Sequence, residues 1–231
     1  MAQSLKVNKA TTAPVVAEFL GTAVLVMLVL ILTQTTAVSY FIGTSAALAL
    51  GVVYMMFGGV SGGHFNPAIT IGVWTSKKIT QSSTAKAIAY IVAQMLGGLA
   101  SWQLYQYFIN HKLISQTSHY TFPVFLAEAV GTMVLAFGFS AASTRAFTAL
   151  ESALTYGFAL FTGIMVAATA AAAYLNPAVA FGLRGFSWTY VVAPIIGAVV
   201  GVNIYNFLFA PAKASGASAV VAKVRRTTRR K

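Results

Sequence analysis

Long apolar stretches alternate with short polar connectors along almost the whole chain. The apolar stretches occupy residues 13–33, 41–60, 85–109, 122–142, 152–171 and 188–210. Each is close to the roughly 20 residues that an α-helix needs to cross the hydrocarbon core of a bilayer. The pattern therefore predicts an all-α membrane protein with six transmembrane helices.

Composition supports the membrane location. Of the 231 residues, 58% are hydrophobic, 8% are charged and only 3 are acidic, so the chain lacks the charged surface of a soluble domain. The first apolar stretch is too long for a cleaved signal sequence and no small-residue cleavage site follows it, so we expect it to be retained. The absence of cysteine excludes disulfides and thiolate metal sites.

The basic residues indicate how the chain is oriented in the membrane. They lie at the chain ends and in the connectors rather than on a recognition element, so the net charge of +12 does not indicate a nucleic-acid partner. Basic connectors favour the cytoplasmic side. A cytoplasmic amino terminus leaves only Lys112 and Arg184 outside and puts inside Lys6, Lys9, Lys77, Lys78, Lys86, Arg145 and residues 213–231. We expect both termini in the cytoplasm and the protein in the cell membrane.

Two motifs recur at an offset of 110 residues. Ala-Glu-x-x-Gly-Thr at 17–22 returns at 127–132, and the second repeated motif is the pair Asn66-Pro67-Ala68 and Asn176-Pro177-Ala178. This divides the chain into a tail (1–12), a first repeat (13–110), a connector (111–121), a second repeat (122–210) and a basic tail (211–231). Because each repeat holds three spans, an odd number, the two copies are expected to have opposite orientations in the membrane.

Each Asn-Pro-Ala box is expected to open a half-helix. The segments from Asn66 to about Thr75 and from Asn176 to about Gly185 span roughly 15 Å at ~1.5 Å per residue, half of a bilayer core. Asn suits the helix cap and Pro the first helical position. Re-entrant backbone is tolerated only where it is buried in protein or lines a water-filled cavity. The pattern therefore predicts a pore where the two half-helix amino termini meet.

The paired boxes, the Ala-Glu-x-x-Gly-Thr opening of each half and Ser-Gly-Gly-His-Phe at 61–65 resemble the aquaporin family of major intrinsic proteins. The resemblance implies six spans with two re-entrant half-helices in a right-handed bundle. It also implies a homotetramer with one pore in each monomer. Asn66 and Asn176 would then be midplane donors that orient the passing solute, while the two positive helix ends repel cations.

The resemblance also identifies a selectivity filter, and this chain departs from the usual pattern there. The family normally carries Arg directly after the second box, where this chain has Val179. Counting without gaps places the other three filter positions at Ala46, Ile164 and Ala173. All four residues are apolar, which favours a pore for water together with larger neutral solutes such as glycerol or urea. The alternative is an apolar collar that dewets and slows water.

Glu18 and Glu128 are carboxylates inside predicted spans, which by default suggests ion or proton traffic. We expect instead that they accept hydrogen bonds from the N–H groups of the folded-back loops, a role that the family gives to the Glu of this motif. His64 is either a pore-lining pH sensor or a packed loop residue. Glu151 is expected to form a capping box with Thr148.

The sequence offers no enzyme chemistry, because it contains no nucleotide-binding loop and no nucleophile with a base. His111 and His119 lack a third ligand, so no metal or cofactor is expected. Arg184 either complements the end of the second half-helix or adds positive charge at the mouth. The alternatives to a passive channel are an ion-coupled secondary transporter and a poorly conducting structural membrane protein.

Overall fold

The computed structural model describes residues 9–36, 38–76, 83–116 and 120–211. These residues form eight helices: α1 (Lys9–Thr35), α2 (Ser39–Ser61), α3 (Pro67–Thr75), α4 (Thr84–Ile109), α5 (Phe122–Thr144), α6 (Ala149–Ala167), α7 (Pro177–Gly182) and α8 (Trp188–Leu208). Six of them, all but α3 and α7, are long and apolar enough to cross a membrane. The predicted six spans and two half-helices are confirmed.

The two half-helices begin in the same way. Asn66 and Asn176 have extended backbones with φ of −157° and −153°, and the Oδ1 atom of each accepts a hydrogen bond from the N–H of the Ala two residues later. Pro67 and Pro177 occupy the first helical position, where the missing N–H has no intrahelical partner to lose. Sequence alone therefore fixes where both half-helices begin.

Several helix boundaries differ from the expected ones, and the differences in α7 and α6 have clear local causes. The second half-helix ends at Gly182 rather than near Gly185, because Arg184 adopts a left-handed φ of 63° and the N–H of Gly185 bonds back to the Ala180 carbonyl at 2.9 Å. The fifth span runs from 149 to 167 instead of 152 to 171. It begins early because Thr148 and Glu151 form the predicted capping box.

The packing of the helices follows the inverted repeat. In the first half α1 packs against α2 and α4, and in the second half α5 packs in the same way against α6 and α8. Each half-helix packs mainly on the last span of the other repeat, α3 on α8 and α7 on α4. The halves also join where α2 meets α6. Neither half-helix is therefore held by its own repeat alone.

Matching glycines allow the spans of each repeat to approach closely. A Cβ added at Gly97 of α4 would lie 2.6 Å from the Phe19 carbonyl oxygen of α1. A Cβ at Gly197 of α8 would collide with the Ala129 carbonyl oxygen of α5. Small residues at helix crossings are the usual means of close packing in membranes, and here they bring α1 to α4 and α5 to α8.

The two ends of the bundle are named here by the helices that meet there. The terminal face is the end where α1 begins and α8 finishes, and the distal face is the end where α1 connects to α2. Trp74 and Trp188 are exposed near these ends, as expected of interfacial anchors. Trp102 is only partly exposed, because Arg184 covers its ring, and it does not act as a simple lipid anchor.

Several residues used in the sequence argument lie outside the described residues. They are Lys6, Lys77, Lys78, His119 and the basic segment 213–231.

Candidate functional site

The tips of the two half-helices are tied to each other by reciprocal hydrogen bonds. Asn66 Nδ2 donates to the Leu175 carbonyl at 2.9 Å, and Asn176 Nδ2 donates to the Phe65 carbonyl, also at 2.9 Å. The asparagines are only 2% and 3% exposed. Each amide carries two N–H groups, so each asparagine keeps a second N–H beyond the cross-bond. The half-helices therefore meet tip to tip inside the protein.

A narrow cavity passes both asparagines. It offers about 60 Å³ to the centres of water molecules, and a single water needs roughly 10–15 Å³ on this measure, so a short file of waters fits. The first re-entrant loop is residues 62–66, between α2 and α3, and the second is residues 168–176, between α6 and α7. On the distal side the cavity wall is formed by α1, α2, α6, the second re-entrant loop and α7. The asparagines thus line a cavity that is large enough for a short single file of water molecules.

The four filter positions counted from the boxes all line this cavity. Ala46, Ile164, Ala173 and Val179 come from α2, α6, the second loop and α7 respectively, and all four are apolar. None of the described residues that line the cavity is Asp, Glu, Lys or Arg. The wall therefore offers no fixed charge, and its amide donors are Asn66 and Asn176.

Glu18 holds the first re-entrant loop through four hydrogen bonds. Its Oε1 atom accepts from the His64 N–H at 2.9 Å and the Ser61 hydroxyl at 2.6 Å. Its Oε2 atom accepts from the Phe65 N–H at 2.6 Å and the Gln94 amide at 2.7 Å. A fully buried carboxylate needs such compensation. Both backbone bonds agree with the role expected from the sequence.

Glu128 holds the second re-entrant loop. Its two oxygens accept from the N–H groups of Tyr174 at 3.0 Å and Leu175 at 2.8 Å, and the backbone of Ala173 adds a third contact. Neither Glu128 nor Glu18 lines the cavity. Because both carboxylates are occupied by loop backbone, the structure favours their structural role over proton coupling.

His64 is both a packed loop residue and part of the cavity wall. Its Nδ1 atom lies 3.1 Å from the Thr70 hydroxyl, and its ring makes edge contacts with Tyr90 and Phe139 at 5.3 Å between centroids. His64 also lines the cavity, on the side of the terminal face. The position of His64 is therefore consistent with both interpretations that the sequence left open, a pore-lining residue and a packed loop residue.

Arg184 does not replace the missing filter arginine. Its guanidinium lies 4.2 Å from the centroid of the Trp102 ring, and Arg184 is not among the residues that line the cavity. Its carbonyl accepts from the Gln116 N–H at 2.8 Å, which attaches the connector between the repeats to the end of α7. The structure thus favours a local structural role.

The chain also matches known proteins. The family model described as "Major intrinsic protein" matches residues 3–205, which is most of the 231-residue chain. This chain belongs to the major intrinsic protein family. As a member of that family it is a passive membrane channel for small solutes and not an enzyme.

Individual relatives of this major intrinsic protein include bacterial and mammalian channels. Glycerol uptake facilitator protein-like 6 of Lactiplantibacillus plantarum is 33% identical over 205 residues, which cover 80% of this chain and 92% of the relative. Aquaporin-5 of Mus musculus is 31% identical over 87% of this chain and 82% of its own. Aquaporin-4 of Homo sapiens is 31% identical over 71% of this chain, but the alignment spans only 54% of aquaporin-4.

A solved structure agrees with the fold. The X-ray structure of the aquaglyceroporin from Plasmodium falciparum superposes with a TM-score of 0.70, covering 86% of this chain and 96% of that one. Sequence identity is 22%, so the likeness shows the fold alone. It supports the arrangement of six spans and two half-helices.

The sequence argument missed several wall residues of this major intrinsic protein. Leu25 and Leu135 line the cavity, as do Leu50 and Leu160. Each pair is separated by the same 110 residues as the two Asn-Pro-Ala boxes. The signal that identifies them is the repeat offset itself, applied to apolar positions rather than to the motif.

Proposed function

We propose that this major intrinsic protein conducts water together with small neutral solutes of the size of urea and glycerol. The repeats 13–110 and 122–210 each supply one asparagine to the passage. The observation that carries the proposal is the single cavity that Asn66 and Asn176 share with four apolar filter residues. The printed name of the bacterial relative, a glycerol uptake facilitator protein, agrees with a polyol as one of the solutes.

Exclusion of ions follows from the two half-helices. Each amino terminus carries the equivalent of about half a positive charge, and the two ends face the same short stretch of the passage. A cation would lose hydration there and meet no acidic residue among the described wall residues. A neutral molecule meets the amide donors of Asn66 and Asn176 there. The asparagine pair therefore serves as a filter against charge.

Selection by size is expected to be weak at the distal filter. Alanine, isoleucine and valine side chains leave more room than a guanidinium and carry no donor that would replace the hydration of a single water. Ala46 and Ala173 contribute the smallest side chains to this ring. The filter therefore admits neutral molecules larger than water.

Stopped-flow measurements on reconstituted vesicles test this filter. The parent and Val179→Arg are compared for water, urea and glycerol flux, with insertion verified for both. We expect the arginine variant to lose urea and glycerol flux several-fold more than water flux, since it narrows the ring and adds a charge. Identical ratios of glycerol to water flux in the two proteins would contradict the proposal.

Assembly and orientation form part of the same proposal. We infer a homotetramer in the cell membrane, as the family resemblance implies, with the terminal face in the cytoplasm. The positions of the basic residues support this orientation. Because the natural chain has no cysteine, Ser115→Cys supplies a unique thiol near the distal face. Labelling of intact cells by an impermeant maleimide is expected for this variant, and native mass spectrometry should give four chains.

Transport coupled to an ion needs a titratable group that reaches the solute. Glu18 and Glu128 are occupied by the loops and lie off the cavity. We therefore expect solute to equilibrate across the vesicle membrane and never to be concentrated, with or without a proton gradient. Accumulation of glycerol against its gradient would favour a transporter.

A further inference from the structure

The inverted repeat relates the two sides of the passage position by position. Residues 110 apart in sequence lie on opposite sides of the midplane, because the second half enters from the other face. The centre of the cavity obeys this relation, since Leu25 and Leu135, and also Asn66 and Asn176, line it together. The residues of the distal filter therefore have identifiable counterparts on the terminal side.

Beyond the centre, the residues that line the cavity differ between the distal and the terminal side. Ala46, Ile164, Ala173 and Val179 all line it on the distal side. Their counterparts at the 110-residue offset are Tyr156, Tyr54, Gly63 and Ile69. Of these four only Tyr156 reaches the cavity wall. Two small or aliphatic residues on one side, Ala46 and Ile164, thus correspond to two tyrosines on the other.

Aromatic rings fill the terminal side at the level of these tyrosines. Tyr156 packs edge-on against Tyr54 at 5.6 Å and against Phe139 at 5.3 Å between ring centroids. On α2 the cavity wall includes Leu50 but not Tyr54, and on α5 it includes Leu135 but not Phe139. Tyr54 and Phe139 are each one helical turn further toward the terminal face. Among the described residues, the cavity wall therefore includes Tyr156 but does not extend to Tyr54 or Phe139.

The backbone at this level is also covered. The Tyr156 hydroxyl donates to the His64 carbonyl at 3.0 Å, which removes one acceptor from the passage. A Cβ placed on Gly63 would lie 2.6 Å from Cδ2 of Tyr54, so the Tyr54 ring lies directly on the first re-entrant loop. Tyr156 and Phe139 are fully buried, whereas Tyr54 is half-buried. Tyr54 is the least buried of the three rings.

We propose that Tyr54 and Tyr156 form the flux-limiting constriction of this channel, on the terminal side, and that the apolar distal filter does not limit flux. The proposal rests on the proposed function, since it concerns the same passage. It assigns the rate of solute entry or exit at the terminal face to displacement of the Tyr54 ring. Size selection then depends chiefly on this pair.

The test copies the distal residues onto their terminal counterparts. Tyr54→Ile takes the residue type of Ile164, and a second variant adds Tyr156→Ala, the residue type of Ala46. Tyr40→Ile is the matched control, because Tyr40 lies on the same helix, is 58% exposed and does not line the cavity. Water, urea, glycerol and a larger sugar alcohol are followed by stopped flow in vesicles with verified insertion.

We expect Tyr54→Ile to raise glycerol flux several-fold and the double variant to admit the larger sugar alcohol, with Tyr40→Ile equal to the parent. Because Tyr54 is half-buried, the single variant tests the proposal even when the double variant does not fold. A conducting parent with flux unchanged by Tyr54→Ile would overturn the constriction and leave the proposed function standing. Flux at background in both parent and Tyr54→Ile would overturn the constriction and count against the proposed function as well.

Discussion

The two re-entrant loops perform the same task with different side chains. In the first loop the carboxylate of Glu18 is shared by two backbone N–H groups, the Ser61 hydroxyl and the Gln94 amide. In the second loop Glu128 is approached by backbone groups. The counterpart of Ser61 at the 110-residue offset is Ala171. The third spans align at an offset of 100 residues, with Gly97 opposite Gly197, so the counterpart of Gln94 is Pro194; neither Ala171 nor Pro194 has a side-chain donor.

The comparison distinguishes the features that both re-entrant loops share from those that only one loop has. Both loops keep a buried carboxylate, an Asn cap and a hydrogen bond from that Asn to the opposite loop. The polar support around the carboxylate is present in one loop and absent from the other. The carboxylate and the cap are therefore the common requirement, and the first loop should be the more strongly held.

Removal of the carboxylates should give the largest effect. Glu18→Leu leaves four donors without a partner, and each buried donor left unpaired costs about 1–3 kcal/mol. Glu128→Leu leaves without a partner only the backbone N–H groups of the second loop that bond to Glu128. We expect the first variant to lower the midpoint of thermal unfolding in detergent further than the second. An equal or larger loss for Glu128→Leu would break the comparison.

Removal of a single supporting side chain should cost less. Gln94 donates to Glu18 at 2.7 Å and to the Thr70 hydroxyl at 2.9 Å. Gln94→Leu keeps the volume but loses a bond to a charged acceptor, worth about 1.5–3 kcal/mol. Gln103→Leu, on the exposed side of the same helix, is the control and should be neutral. Equal unfolding midpoints for the two variants would show that the hydrogen bond from Gln94 to Glu18 does not stabilise the fold.

The smallest effects concern the backbone of the loops. Gly63 and its counterpart Ala173 both have left-handed φ, 69° and 57°. Gly63→Ala should destabilise by about 1–3 kcal/mol, because its Cβ would overlap the Tyr54 ring. Ala173→Gly should stabilise by less than about 1 kcal/mol, since relief of the left-handed strain is partly offset by unfolded-state entropy.

A second measurement sharpens this last prediction. The destabilisation by Gly63→Ala should shrink in the Tyr54→Ile background, because the overlapping ring is gone. If Gly63→Ala lowers the stability of the Tyr54→Ile variant by as much as that of the parent, the destabilisation comes from backbone strain and not from contact with the Tyr54 ring. Unfolding midpoints of the two single variants and the double variant complete the cycle.

The sequence predicts the fold because its strongest signals are local or periodic. Six apolar stretches of bilayer length, a repeated Asn-Pro cap and the shared 110-residue offset of the two motifs predict the spans and half-helices. Counting from the boxes also places Ala46 and Ile164 at one cavity, because no bulge intervenes between the boxes and these positions. The fold is therefore predicted by spacing, and the filter positions by the resemblance to the aquaporin family together with that spacing.

The side chains that support or obstruct the site could not be predicted, because their contacts between helices produce no periodic pattern in the sequence. Gln94 reaches Glu18 across 76 positions of sequence, and neither residue type reveals the pairing. The rings of Tyr54 and Tyr156 meet only when α2 packs on α6. The stacking of Arg184 on Trp102 likewise follows from where α7 ends. Sequence analysis therefore identified the positions of the site but not the side chains that support or obstruct it.

The central claim is that solute passes through the cavity between the two asparagines. Because the natural chain has no cysteine, Val179→Cys puts a single thiol in that cavity, while Val52→Cys puts one on an exposed face of α2 that is 54% accessible. We expect a small thiol reagent to reduce the water and glycerol flux of Val179→Cys to the level of empty vesicles and to leave Val52→Cys unchanged. Undiminished flux through fully modified Val179→Cys would contradict the claim.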